Sequence, residues 1–155
     1  MDEFNYLILC GIIAVILFAA IIFISKKKKS IQYLNRLKGI EFEEYLHKLL
    51  LKQGYNCLLT SQSHDFGADL IIENFGYNDE KIVIQAKNYE NNVSISAIQE
   101  VFTAMYYYDA DYAICIVTSD YTASAVKLAE KVGVILINGE DLSNIIAGEL
   151  LENYL

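Results

Sequence analysis

The chain has no proline and no tryptophan, only two histidines and three cysteines, and few basic residues outside one cluster. Each shortage excludes something. Without proline, turns must rest on glycine, asparagine and aspartate, and collagen-like or proline-rich disordered classes drop out. Cys10, Cys57 and Cys115 are odd in number, form no CxxC pair and have no histidine at zinc-finger spacing. Neither a disulfide framework nor a structural zinc site is indicated, and reduced thiols in a cytosolic setting are expected. From Ser30 onward, eight basic residues face eighteen acidic ones, a balance that repels nucleic acid at long range.

What is present in abundance is apolar surface. Residues 6–24, YLILCGIIAVILFAAIIFI, are nineteen in a row without a charge, enough at helical rise to cross about 30 Å of hydrocarbon. The start, MDEF, lacks the positive flank of a signal peptide, and no small-residue cleavage site precedes the charges that follow. Lys26 to Lys29 come next, and the positive-inside bias would put everything after them in the cytoplasm. The expectation is a single-pass membrane anchor over residues 1–29, a polar tether over 30–38, and one domain over 39–155. At 155 residues in all, a second globular domain does not fit.

Within the domain, GIEFEEYLHKLLLKQGY reads as an amphipathic helix closed by Gly54, with Phe42, Leu46, Leu49 and Leu50 on one stripe. Strands follow at Tyr55–Thr60, ADLIIE and KIVIQAK, with a loop SQSHDFG and a turn at GYND between them. Ser96 with Gln99 three residues on reads as a capping box opening a helix to about Tyr108. YAICIVTS suits a strand buried on both faces, YTASAVKLAEKVG a helix ending at Gly133, VILIN a strand, and a last helix starts near Glu140. The predicted order is αβββαβαβα, an α/β mixed sheet with flanking helices.

Strand alternation puts Asp69, Ile71 and Glu73 on one face of ADLIIE. In KIVIQAK it puts Val83, Gln85 and Lys87 on one face and Ile82, Ile84 and Ala86 on the other. Pairing of these two strands would bring an acid, an amide oxygen and an ammonium together. Such a group suits phosphodiester hydrolysis, because a hard cation such as Mg²⁺ takes few side-chain oxygens and keeps waters, while a lysine offsets charge on the phosphorane. The same short spacing also fits a solvated Asp and Lys on an exposed sheet face. Spacing alone leaves both open.

The blocks EFEEYLHKLLLKQGY, SHDFGADLIIE, KIVIQAKNY, SISAIQEV and AICIVTSDYTASAVKLAEKVGVILINGEDL, in this order, resemble the Mrr-type catalytic domain of type IV restriction endonucleases, within the PD-(D/E)xK nuclease superfamily. The resemblance covers nearly all of residues 39–146. It implies a restriction-endonuclease-like fold, Mg²⁺-dependent DNA cleavage with Mn²⁺ as a substitute, and a catalytic Asp69, Gln85 and Lys87, with glutamine where many relatives carry glutamate. It also implies an acid from the first helix. Of Glu41, Glu43 and Glu44, helical phase sets Glu43 at the edge of the apolar stripe, while Glu44 pairs with Lys48 on the solvated side.

The expected metal ligands are then Asp69, Gln85, the Ala86 carbonyl and Glu43. Asp65 and His64 lie in a loop rich in turn residues, where Asp65 reads as a turn former and His64 as exposed. Gln99 is either a cap or a contact near the site. Tyr106 to Tyr108 read as packing residues, since three consecutive helical positions cannot face one surface. DNA is the expected partner, with a homodimer where both strands are cut. The alternative is a weak or inactive nuclease-fold module that holds DNA or a protein partner at the membrane, which the acidic balance and the lack of a separate DNA-reading segment favour.

Overall fold

The structure, a computed structural model, describes residues 3–61 and 66–155, with side chains from residue 8 onward apart from 9, 23 and 26–29. The uncharged run forms part of one continuous helix, α1 (Glu3–Leu34). Its described large apolar side chains between Ile8 and Ile24 are exposed. Among the described residues no helix is long and apolar enough to cross a membrane, so residues 6–24 are not established as a span. The helix also outlasts the run. Residues 30–34, expected as the start of a tether, continue it, because Ile31, Leu34 and Leu37 all find apolar partners in the domain. Leu34 is fully buried, and the carbonyls of Leu34 and Leu37 each accept a hydrogen bond from Asn88 Nδ2 at 2.8 Å.

Helix α2 (Gly39–Lys52) buries Phe42, Leu46 and Leu50, the stripe its spacing predicts. The chain then reverses at Gly54, whose φ of 96° is the left-handed backbone that favours glycine. Strands β1 (Asn56–Leu59), β2 (Leu70–Phe75) and β3 (Glu80–Lys87) form a meander in which β2 runs antiparallel to both neighbours. Helix α3 (Ile95–Tyr107), β4 (Tyr112–Val117), α4 (Ala123–Val132), β5 (Val134–Ile137) and α5 (Gly139–Ile146) follow, then a closing 3-10 turn at Leu151–Tyr154.

The sheet order is β1-β2-β3-β4-β5, with β3, β4 and β5 parallel. Central β3 is therefore where an antiparallel half meets a parallel half. Its burial on both faces explains its unbroken apolar middle. One face packs Ile82, Ile84 and Ala86 against α2, α5 and the end of α1; the other packs Val83 and Cys115 against α3 and α4. The alternation expected for KIVIQAK is thus the observed one.

One local expectation fails. Helix α3 begins at Ile95 with Ser94 at the N-cap position, so Ser96 lies inside the helix and the Ser96–Gln99 capping box does not form. The physical reason is a bridge between Val93 and Tyr121, which holds the chain extended only up to Val93 and lets the helix start earlier.

Candidate active site

Asp69 stands one residue before β2, where the chain begins to part from β3. Its backbone N–H still donates to Ile84 O at 2.8 Å, and its own carbonyl accepts from Thr60 N at 3.0 Å. Thr60 Oγ1 also donates to Ala68 O at 2.6 Å, so the peptide carrying Asp69 is pinned from the β1 side. Beyond Leu70↔Ile84 no ladder partner remains for the N–H of Ala86, and the Asp69 carboxylate takes that place, accepting from Ala86 N at 2.7 Å. Gln85 donates its amide to the same oxygen, Oδ2. Asp69 is accordingly bonded to β3 through both the Gln85 side chain and the Ala86 backbone.

Gln85 and Asp69 are both buried, a costly setting for polar groups unless they are bonded to each other as here. Lys87, the last residue of β3, points to the α3 side, where its Nζ lies 2.9 Å from Glu100 Oε2. Burial alone would lower the Lys87 pKa, but the hydrogen bond and charge of Glu100 and the charge of Asp69 outweigh it and hold the ammonium above the ordinary lysine range. Glu43 comes from α2, in the opposite helix layer. It meets the others because all lie at the carboxyl end of β3, where the strand runs out and the two layers face each other across its tip.

There a cavity of about 180 Å³ is lined by Glu43, Asp69, Gln85, Ala86 and Lys87, together with Gly39, Asn88 and Tyr89. All five sequence-predicted site residues line this one cavity. Its donors are two carboxylates, an amide oxygen and a peptide oxygen, a hard-oxygen set suited to an Mg²⁺ ion that keeps several waters. Among the described residues no cluster of three or more His, Cys, Asp or Glu side chains forms a metal group. A cation here would need Gln85 and Ala86 as well as the two acids.

The remaining candidates fall elsewhere. His64 and Asp65 lie outside the described residues. Glu41 accepts from Lys38 N at 2.7 Å and serves the start of α2. Glu44 and Lys48 form the expected solvated pair at 3.6 Å. Gln99 is exposed, and its carbonyl accepts from Thr103 Oγ1 at 2.8 Å. Tyr107 stacks on Phe66 with ring centroids 3.8 Å apart, while Tyr106 packs edge-on against Phe102.

Glu100 is the residue that sequence reasoning passed over. A signal existed, since helical phase sets it between Ala97 and Ala104 of the buried stripe, the same edge position that singled out Glu43. Asn88 was also missed. It follows QAK directly, and besides holding α1 its Oδ1 accepts from Thr118 Oγ1 at 2.8 Å.

Solved structures with the same architecture include the DNA modification-dependent restriction endonuclease AspBHI, with a TM-score of 0.62 and 16% identity over 81% of this chain and 36% of that one. The MspJI restriction endonuclease, solved in complex with a 27-mer oligonucleotide, gives a TM-score of 0.54 and 18% identity over 79% of this chain and 30% of that one. Restriction endonuclease FokI gives 0.55 and 14% over 83% of this chain and 29% of that one. The chain thus spans about a third of the length of these enzymes. No curated protein sequence matches it significantly.

These likenesses define the class, a mixed five-stranded domain of restriction-endonuclease fold. The family follows from the sequence itself: the model of the Mrr-type catalytic restriction endonuclease family matches residues 34–146, and the chain belongs to that family.

Proposed function

We propose that the domain is an Mg²⁺-dependent endonuclease that hydrolyses DNA phosphodiester bonds at the cavity beyond β3. The observation that carries this reading is the convergence of Glu43, Asp69, Gln85, Ala86 and Lys87 on one cavity in a chain of this family. Asp69, Glu43, the Gln85 amide oxygen and the Ala86 carbonyl would hold the ion. Bound there, Mg²⁺ supplies Lewis-acid polarisation of a phosphate oxygen and lowers the pKa of a bound water.

The chain's own residues do the rest. The bonds from Ala86 N and Gln85 fix the Asp69 carboxylate before substrate arrives, which lowers the reorganisation needed during reaction. The Lys87 ammonium donates hydrogen bonds that position the attacking water and offset charge on a non-bridging phosphate oxygen as the water oxygen bonds to phosphorus and one P–O ester bond breaks; the attacking water gives its proton to solvent and the departing ester oxygen takes one from solvent. With glutamine in place of a carboxylate the site carries less negative charge, which favours one ion over two. One site cuts one strand, so cleavage of both strands would take two copies.

Residues 6–24 are proposed as a single-pass anchor with the domain on the cytoplasmic side. The support is the uncharged run, the four lysines behind it and the exposed apolar side chains of α1, which call for an apolar surround. Flotation of the full chain with liposomes tests the anchor; a chain left entirely in the soluble fraction overturns it.

For the nuclease reading, the full chain in detergent should nick supercoiled plasmid in Mg²⁺ or Mn²⁺, and lose the activity with EDTA and in Asp69→Ala. Cleavage that survives either treatment refutes it. The excess of acidic over basic residues after Ser30 weighs against efficient turnover on DNA and favours a second reading, a catalytically weak or inactive module that holds DNA or a protein partner without cutting. Salt-sensitive DNA binding by the full chain with no nicking in either metal would establish that reading instead.

A further inference from the structure

The long stem of Lys87 does not by itself hold the ammonium at the cavity. Four flexible methylenes leave the tip of a lysine free to range over several ångströms, and a fixed position requires a partner. That partner is Glu100, with Oε2 at 2.9 Å from Nζ.

The helical turn that carries Glu100 is itself held by backbone packing. Gly67, at φ 92°, lies so close to α3 that a Cβ added to it would sit 2.4 Å from the Glu100 carbonyl oxygen. Gly67 is two residues ahead of Asp69. The peptide leading into Asp69 and the helical turn bearing Glu100 are therefore in direct contact, and the Phe66–Tyr107 stack ties the same segment to α3 two turns further on. Asp69 and Glu100 keep a set spacing, and the Lys87 ammonium is held relative to both.

We propose that Glu100 is a positioning residue for the reaction, holding the Lys87 ammonium where it meets the scissile phosphate. The catalytic part of this inference rests on the nuclease reading above; the positional part rests on geometry. A purely structural role predicts something different. The Glu100 side chain keeps 44% of its exposure although that of Lys87 keeps only 21%, and an ion pair with one partner this open to solvent contributes modestly to folding. Misplacing a transition-state cation by an ångström, in contrast, costs rate steeply.

The test uses the full chain in detergent, with plasmid nicking in Mg²⁺, thermal melting, and NMR of the lysine ammonium groups, in which Lys87→Arg identifies the Lys87 signal. Glu100→Ala and the isosteric Glu100→Gln should lower kcat about tenfold or more with KM within about twofold. Glu100→Asp should recover most of the rate, and the melting temperature should stay within about 2 °C of wild type. The Lys87 ammonium should be motionally restricted in wild type and as free as a surface lysine in Glu100→Gln.

Should Glu100→Ala not fold, Glu100→Gln carries the comparison. A Glu100→Gln enzyme that cuts at the wild-type rate overturns the positioning role and leaves the nuclease reading intact. So does a Lys87 ammonium equally mobile in both proteins. A wild-type chain that never cuts, yet shows a restricted Lys87 released by Glu100→Gln, refutes the nuclease reading and upholds the positional one.

Discussion

Strand β3 carries a lysine near each end, Lys81 and Lys87, six residues apart and on the same face of the sheet. At the amino end, Lys81 Nζ donates to the carbonyl of Tyr108, the residue capping the C-terminus of α3, at 2.9 Å, and its backbone N–H donates to Asp111 Oδ2 at 2.8 Å. A cation at a helix C-terminus complements the helix dipole, so this end is a clasp between strand and helix. At the carboxyl end, Lys87 meets a carboxylate of the same helix, but beside it lie the buried Asp69 and Gln85, Glu43 from the opposite layer, and a cavity that they share. The difference lies in the company each lysine keeps. One joins two elements; the other faces an open space ringed with polar groups, where binding and chemistry have room to occur.

Exchanging the two roles gives the largest expected effect. Lys87→Ala should depress nicking about 10²-fold or more, the usual loss when a preorganised charge at a reacting centre is deleted. Because the Glu100 side of the pair stays open to solvent, the unfolding midpoint should move far less than the rate. Lys81→Ala should do the opposite, leaving nicking within about twofold while costing a few tenths to about 1 kcal/mol in chemical denaturation. Equal losses of activity in the two variants would erase the distinction between the ends.

Gly67→Ala should come next. The added methyl would collide with the Glu100 carbonyl, and the φ of 92° strains any other residue. A loss of about 2 kcal/mol or more is expected in denaturant titration, with a fall in activity at temperatures where the variant is still folded.

Much of this was readable in the sequence, and what was not has a common cause. Element order followed from periodicity because each helix stripe and each buried strand is a local pattern. Phe42, Leu46 and Leu50 all lie where spacing sets them, and the stripe edge brought Glu43 to the cavity. The bond from Ala86 N to the Asp69 carboxylate was not readable, because it depends on where the β2–β3 ladder ends and so on which N–H is left for it. The continuation of α1 to Leu34 was hidden for a similar reason. Ser30 to Lys38 is polar in composition, and only its docking on the domain reveals the buried leucine. Helical phase shows Glu100 at the edge of a stripe, but its partner thirteen positions away is reached through a contact between elements, which no local pattern reports.

A smaller effect is expected at Asn88, which ties the end of α1 to the carboxyl end of β3. Asn88→Ala removes two bonds to the Leu34 and Leu37 carbonyls and one from Thr118. At about 1 kcal/mol for each typical bond, partly recovered by water, a net cost of about 1–2 kcal/mol should appear in denaturant titration. Hydrogen exchange should rise first in residues 30–37, since those amides lose their connection to the sheet. Uniform exchange across the domain would mean that α1 docks through its apolar contacts alone.

The smallest effect separates the buried middle of the sheet from its site end. Cys115 is the β4 register partner of Gln85, and burial pushes its thiol up to about 12, as it does that of Cys57. The folded chain keeps both thiols protonated well past the point, near pH ~8.5, where an unfolded cysteine ionises. Below that pH the two thiols leave stability unchanged. Above it the unfolded chain gives up its protons first, so stability falls as pH rises from about 8.5 toward 12. At pH 8 a maleimide should leave Cys57 and Cys115 unlabelled in the folded chain and modify both in guanidinium, as read by mass spectrometry. Rapid labelling of Cys115 in the folded chain would mean that solvent reaches the sheet beside Gln85, and that the polar end of β3 is not sealed from its core.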